Sequence, residues 1–410
     1  MLDGLAAVNN LLVARRGRAP ILFFRFTPDD FRTEAARKAF DELGANYVEA
    51  IGIDKSPLFD SLRRGGRQYI FGRSIQQNKF KTVFDLSKLE AYKQALYAAA
   101  IDAMERKLSA FLAEYKIHRW ILRQASFRVL YGIDDTQVIL PLVYACQDAG
   151  IRTVAHQHGA AYHPWHASYV MENLNPEEIR WFDTLIVWGE HWKNRIARIS
   201  RLIPAARIVV GGDLFGELFE RGSERSMAHA GDSRVVLVPY EFLTSTYHVG
   251  LYVARLLDLG YDVWFKPRAD EDLLRQIDAY CLPPGYQTRL RIVPRLTPEL
   301  MTRVDVVAGT MSTLLYQLLV FRKPIWLLET VEGSILLQDL VDLGWAHRIR
   351  YEDLDHLGDR HFAAPDLDVS YVTSRQSLRD TLAKHVVAAA AEHRRTRASL
   401  AGVSTSQATH

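Results

Sequence analysis

Val306-Val-Ala-Gly-Thr-Met-Ser-Thr-Leu-Leu-Tyr-Gln-Leu-Leu-Val-Phe-Arg-Lys-Pro-Ile-Trp326 decides the fold. Its spacing predicts a short buried strand, a small polar turn over 309–313, a short helix, and a second strand opening at Pro324. The turn, Gly309-Thr310-Met311-Ser312-Thr313, brings backbone N–H groups and three hydroxyls to a helix N-terminus. Unsatisfied amides and the helix dipole favour an anion there, and phosphate suits such a turn best. The blander role for the same residues is helix capping by Ser or Thr.

The same alternation runs outward along the whole chain. In the C-terminal half, residues 234–239, 262–265, 289–293 and 324–328 read as strands. Helices are predicted over 247–259 and 271–280, with a short one from Pro298. In the N-terminal half the strands are 21–26, 47–51, 128–131, 152–155, 184–188 and 207–210. Helices there cover 34–43, 89–115 and 136–149, with Gly44 and Gly150 as stops. Residues 55–88 are basic and read as irregular, while the small polar run 221–233 reads as a linker. An Ala-rich helix over 374–400 either crosses back to the first half or leads toward a partner. Short apolar strands separated by helices imply parallel sheets covered on both faces. The expected fold class is α/β, two Rossmann-like domains facing a cleft, with ligands beyond the carboxyl ends of the strands.

Composition narrows the classes. The chain has 410 residues, comfortable for two cores, with 48% hydrophobic and 24% charged residues. A net charge of +3 gives no reason to invoke nucleic acid. Two cysteines without a CxxC pair, Cys146 and Cys281, indicate neither a disulfide framework nor a zinc cluster and fit a reducing compartment. No signal peptide and no apolar run of membrane-spanning length is evident. The expectation is a cytoplasmic protein, with room for peripheral contact at the inner face of the plasma membrane.

Three further polar clusters sit at predicted strand ends. Lys266-Pro267-Arg268 offers two cations on a proline-fixed turn, fit to neutralise a leaving phosphate. His156-Gln157-His158-Gly159 offers an imidazole as acid, base or donor beside a glycine that admits a ligand closely. The carboxylates Asp134, Asp135, Asp213 and Glu241 could deprotonate an acceptor hydroxyl or attack an anomeric carbon. Asp213 follows Gly211-Gly212 beside the linker and is the leading candidate for action on the anomeric centre, with Glu241 behind it. Capping of a helix by Asp134 or Asp135 is the alternative for that pair. His156, His158, His163 and His166 are close in sequence, but no Cys or HExxH frame supports a metal site.

In this order, Gln157-His158-Gly159, Gly211-Gly212-Asp213, Lys266-Pro267, the 309–313 turn and Arg322-Lys323-Pro324 resemble the GT-B glycosyltransferases of bacterial capsule and lipopolysaccharide synthesis. Within that group the chain most resembles the CMP-Kdo-dependent β-Kdo transferases. The resemblance implies a metal-independent glycosyltransferase without a resident cofactor. It would move a sugar, Kdo from CMP-Kdo, to a surface polysaccharide or lipid-linked glycan. It implies residues 1–221 as the acceptor-side domain, 222–233 as linker, 234–370 as the nucleotide-donor domain, and 371–410 as a C-terminal helix and tail. Lys266, Arg268, Gly309, Thr310, Ser312 and Thr313 would hold the nucleotide, and His158 with Asp134 or Asp135 the acceptor. The chain departs from the pattern in having Lys266-Pro267 for a His-Pro dipeptide, and Gln317 where a ribose-binding Glu is expected. A polyol-phosphate transferase using CDP-glycerol or CDP-ribitol, and a non-catalytic glycan-binding or assembly protein, are the alternatives.

Overall fold

The computed structural model describes residues 2–16, 19–24, 31–52, 68–71, 85–133, 139–160, 179–200, 202–212, 214, 234–240, 245–267, 285–294 and 296–392. Apolar runs set two parallel sheets. The first contains β1 (Ile21–Phe24), β2 (Tyr47–Gly52), β3 (Gln68–Phe71), β4 (Val129–Gly132), β5 (Arg152–His156), β6 (Thr184–Val187) and β7 (Ile208–Val210). Its order is β3-β2-β1-β4-β5-β6-β7. The second contains β8 (Val235–Pro239), β9 (Asp262–Lys266), β10 (Leu290–Ile292), β11 (Val306–Gly309), β12 (Ile325–Leu328) and β13 (His347–Ile349), in the order β10-β9-β8-β11-β12-β13. β1, β4, β6, β8, β11 and β12 are buried along their whole length, as strands covered on both faces must be. Both sheets are doubly wound, so the expected α/β architecture of two Rossmann-like units holds.

The helices of the first unit are α1 (Leu2–Arg16), α2 (Phe31–Glu42), α3 (Ala91–Leu122), α4 (Leu140–Asp148) and α5 (Glu190–Ile199). Gly44 and Gly150, at φ of 58° and 72°, end α2 and α4 as expected. In the second unit follow α6 (Thr246–Asp258), α7 (Pro298–Thr302), α8 (Leu314–Gln317), α9 (Val331–Leu336) and α10 (Gln338–Asp342). Then come α11 (Val369–Val372) and α12 (Leu378–Leu382), the latter continuing helically through a π turn, Ala383–Val387, to Glu392.

Several expectations need correction. The basic run 55–88 contains β3, a strand with only three apolar residues at the sheet edge. That edge is closed by α1. Asn10 accepts from Ile70 N at 2.6 Å and donates to Ile70 O, and Asn9 donates to Gln68 O at 2.7 Å. The helix predicted over 89–115 extends to Leu122, and α5 and β13 join the elements read from the sequence. The C-terminal helix crosses back. Leu378, Leu382, Val386, Ala389 and Ala390 pack on Ile21, Phe23, Val129, Tyr131 and Ile186, covering one face of the first sheet. The helix predicted over 271–280 and the linker lie outside the described residues, as do residues 393–410.

Candidate functional site

The 309–313 turn follows β11 directly, where the strand order of the second sheet reverses between β8 and β11. In doubly wound sheets such a reversal opens a crevice beyond the carboxyl ends of the strands, where ligands bind. Among the described residues, the N–H groups of Met311, Ser312 and Thr313 have no acceptor, so three successive amides of the turn remain available to an anion. The hydroxyls behave differently from expectation. Ser312 Oγ accepts from Leu314 N at 3.3 Å, a capping role, and Thr313 Oγ1 accepts from Ala160 N at 3.2 Å. Thr310 and Ser312 are buried. The backbone of the turn is therefore a better anion receptor than its side chains. Gly333 in α9 presses on it from behind, since a Cβ there would stand 2.3 Å from the Thr310 carbonyl oxygen.

Lys266 is the last residue of β9 and pairs with Pro239 of β8. β11 pairs with β8 on the other side through Val306–Val236 and Val307–Leu237, so Lys266 and the turn leave strands on either side of β8. Two strand spacings separate them, about 10 Å. Lys266 Nζ lies 3.4 Å from the Pro267 carbonyl. The Arg322-Lys323-Pro324 run lies at the opposite edge, where the chain enters β12. Lys323 is buried there; burial lowers its ammonium pKa, against the opposing charge of Asp305.

The first unit brings its 156–160 loop to the turn. Besides the Ala160–Thr313 hydrogen bond, a Cβ on Gly159 would meet Thr313 Oγ1 at 3.6 Å. Gln157 fixes the loop by accepting from Trp188 N at its Oε1 and from Trp188 Nε1 at its carbonyl. Arg32 holds the His158 carbonyl at 2.9 Å, and His158 is half-buried. His156 is invested elsewhere: Nδ1 faces the Tyr131 hydroxyl and Nε2 the Gly212 carbonyl, both at 3.0 Å. It anchors the Gly211-Gly212 bend. A Cβ on Gly212, at φ 73°, would stand 2.5 Å from the Gln376 carbonyl.

A second contact between the units starts from the helix that follows the turn. Tyr316 of α8 donates to Asp339, which also pairs with Arg195 of α5. His191 Nε2 stands 3.6 Å from the same carboxylate, beyond direct hydrogen bonding. Trp192 meets Tyr316 edge-on at 4.8 Å. Burial would raise the Asp339 carboxyl; the facing His191, Arg195 and Tyr316 outweigh it and hold it below its ordinary value. Burial first, then the Asp339 charge, pushes the Tyr316 hydroxyl well up.

Thus His158, Lys266, Gly309, Thr310, Ser312 and Thr313 are placed where the carboxyl edges of the two sheets meet. Asp134, Asp135, Asp213, Glu241 and Arg268 lie outside the described residues. Tyr316, Asp339 and Arg195 were not read from the sequence. A Tyr three residues after Thr313 and an Arg on a Trp-containing amphipathic helix were the only signals.

By sequence, no protein-family model and no curated protein matches the chain. Solved structures resemble it in three dimensions. UDP-GlcNAc 2-epimerase from Neisseria meningitidis, bound to UDP-GlcNAc, superposes with a TM-score of 0.51 at 12% identity, covering 89% of this chain and 99% of that one. The S. aureus MnaA–UDP structure gives 0.51 at 11% identity, covering 87% and 91%. The chain has a GT-B-like fold. MurG of Acinetobacter baumannii gives 0.46 at 12% identity, covering 88% and 92%. At these identities the likeness is one of fold. In GT-B-like terms, the 309–313 turn belongs to the second unit and the histidine loop to the first. No described helix is long and apolar enough to cross a membrane.

Proposed function

We propose that the chain is a nucleotide-sugar-dependent glycosyltransferase, with Kdo from CMP-Kdo as donor and a bacterial surface glycan as acceptor. The observation that carries this reading is the amide turn over Met311, Ser312 and Thr313 at the strand-order reversal, with the His158 loop against it. The turn would accept the donor phosphate, and Lys266 with Arg268 would supply cationic charge without a metal. Departure of the nucleotide breaks the bond between anomeric carbon and phosphate oxygen, the oxygen keeps the electron pair, and the acceptor oxygen, as it loses its proton, forms the new bond to that carbon. His158, Asp134 or Asp135 would take the proton of the acceptor hydroxyl, and Asp213 or Glu241 would act at the anomeric centre.

A competing reading comes from the neighbours' ligands, UDP-GlcNAc and UDP. A uridine nucleotide would then occupy the turn, and the reaction would be epimerisation within one nucleotide sugar. Thermal shift with CMP, CDP, UDP and GDP separates these. We expect CMP to raise the melting temperature most and CMP-Kdo to release CMP only with an acceptor present. Preferential stabilisation by UDP, with epimerised UDP-GlcNAc as product, would replace the first reading by the second. No shift with any nucleotide would remove both.

A further inference from the structure

The longest helix outruns what it packs on. α3 has 32 residues, about 48 Å, while its main partner α4 has nine, about 14 Å. The two meet near the C-terminal end of α3. There Phe111 and Tyr144 have ring centroids 5.6 Å apart, Tyr115 donates to Asp148, and Ile121 and Leu122 are buried. Among the described residues, nothing packs over the apolar surface that continues N-terminally. Tyr92 and Leu96 are each 66% exposed, Tyr97 50% and Met104 45%. Tyr92, Leu96, Ala99 and Ala103 share one face by their spacing, with Tyr97, Ala100 and Met104 beside it.

We propose that this face pairs with the same face of a second copy of the chain, the two α3 helices antiparallel about a twofold axis. Under twofold symmetry this face would meet itself, and three observations favour that occupant. Alanines at 99, 100 and 103 let two helix axes approach to the short end of the usual 8–10 Å. The four large side chains present about 400 Å² at these exposures, taking roughly 150–250 Å² for a whole aromatic side chain. That is roughly half of the ~800 Å² a stable interface takes from each partner, and the alanines and the stems of Lys93 and Lys107 add to it. Charge argues against an anionic membrane. Over 90–110, Lys93, Arg106 and Lys107 are matched by Glu90, Asp102 and Glu105, and Lys93 pairs with Glu90 and Arg106 with Asp102. No cationic excess remains to draw the helix onto acidic headgroups.

Sedimentation velocity on the full chain at micromolar concentration tests this, with Leu96→Glu and Leu96→Lys as variants and circular dichroism melting to verify folding. We expect a wild-type dimer, and for both variants monomers that still melt in one cooperative transition, because either charge repels its twofold mate. A monomeric wild type, or a dimer that survives both substitutions, would overturn the proposal. So would vesicles of phosphatidylglycerol that bind the Lys variant more tightly and the Glu variant less than wild type, which would assign the face to a membrane.

Discussion

At the residue scale, the turn is defined as much by what stands behind it as by its own side chains. Alanine in place of a helical glycine ordinarily gains about 1 kcal/mol. Gly333→Ala should reverse that sign, because the new methyl would fall 2.3 Å from a backbone carbonyl that cannot swing aside. The expected loss is about 1–3 kcal/mol in urea denaturation, with a smaller nucleotide-induced thermal shift. A stabilised variant with an unchanged shift would show that the turn is not held from that side. The turn itself was legible because glycine and hydroxyl residues follow the apolar run Val306-Val307-Ala308. Its inner wiring was not. Nothing local distinguishes the Ser312 hydroxyl that caps from the Thr313 hydroxyl that reaches Ala160, 153 positions away. His156 and His158 look alike in sequence, yet the first spends both ring nitrogens on Tyr131 and Gly212.

At the scale of elements, α5, α8 and α10 meet around Asp339, and the energetics there are electrostatic. The Arg195 side chain is only 9% exposed, so Asp339→Asn takes the carboxylate charge away from a buried cation and should destabilise the fold at neutral pH. The folded carboxyl titrates below its ordinary value of 3.8. Its stabilising contribution is therefore complete above that value and is lost as pH falls through the lower folded value. The difference between wild type and Asp339→Asn in denaturant midpoint should be constant from pH 7 to about 5 and shrink toward pH 3. A gap that does not change with pH would mean that shape rather than charge is responsible. The elements themselves were legible wherever burial was complete. β1, β8, β11 and β12 are unbroken apolar runs, whereas β3 and β13 are edge strands whose few buried residues are diluted by Gln68, His347 and Arg348. α5 was hidden because its buried residues, His191, Trp192 and Ile196, include a polar one.

At the scale of the whole molecule, the two units are tied by more than a linker. The C-terminal helix lies on the first sheet, and Thr381 donates to the Gly211 carbonyl. A chain ended after residue 373 loses Leu378, Leu382 and Val386 from that face. At roughly 1.5–3 kcal/mol for each large apolar side chain buried, the loss rivals a typical total stability of about 5–15 kcal/mol. We expect the shortened chain to melt without a cooperative transition; a sharp one would show that the first unit stands alone. The two-unit layout was legible from the alternation of strand and helix, but the return of the last helix was open, because an Ala-rich helix fits either destination. That return also orders events during synthesis. The seventh strand of the first sheet leaves the ribosome at residue 210, but the helix covering that sheet is not finished until about residue 390. At roughly 5–20 residues per second, the nascent N-terminal half waits about 10–35 s without the cover that the last helix gives Ile21, Phe23 and Ile186 beside α2. Slow translation of the second half, or a chaperone shortage, should be felt first by a unit whose own sequence is already complete.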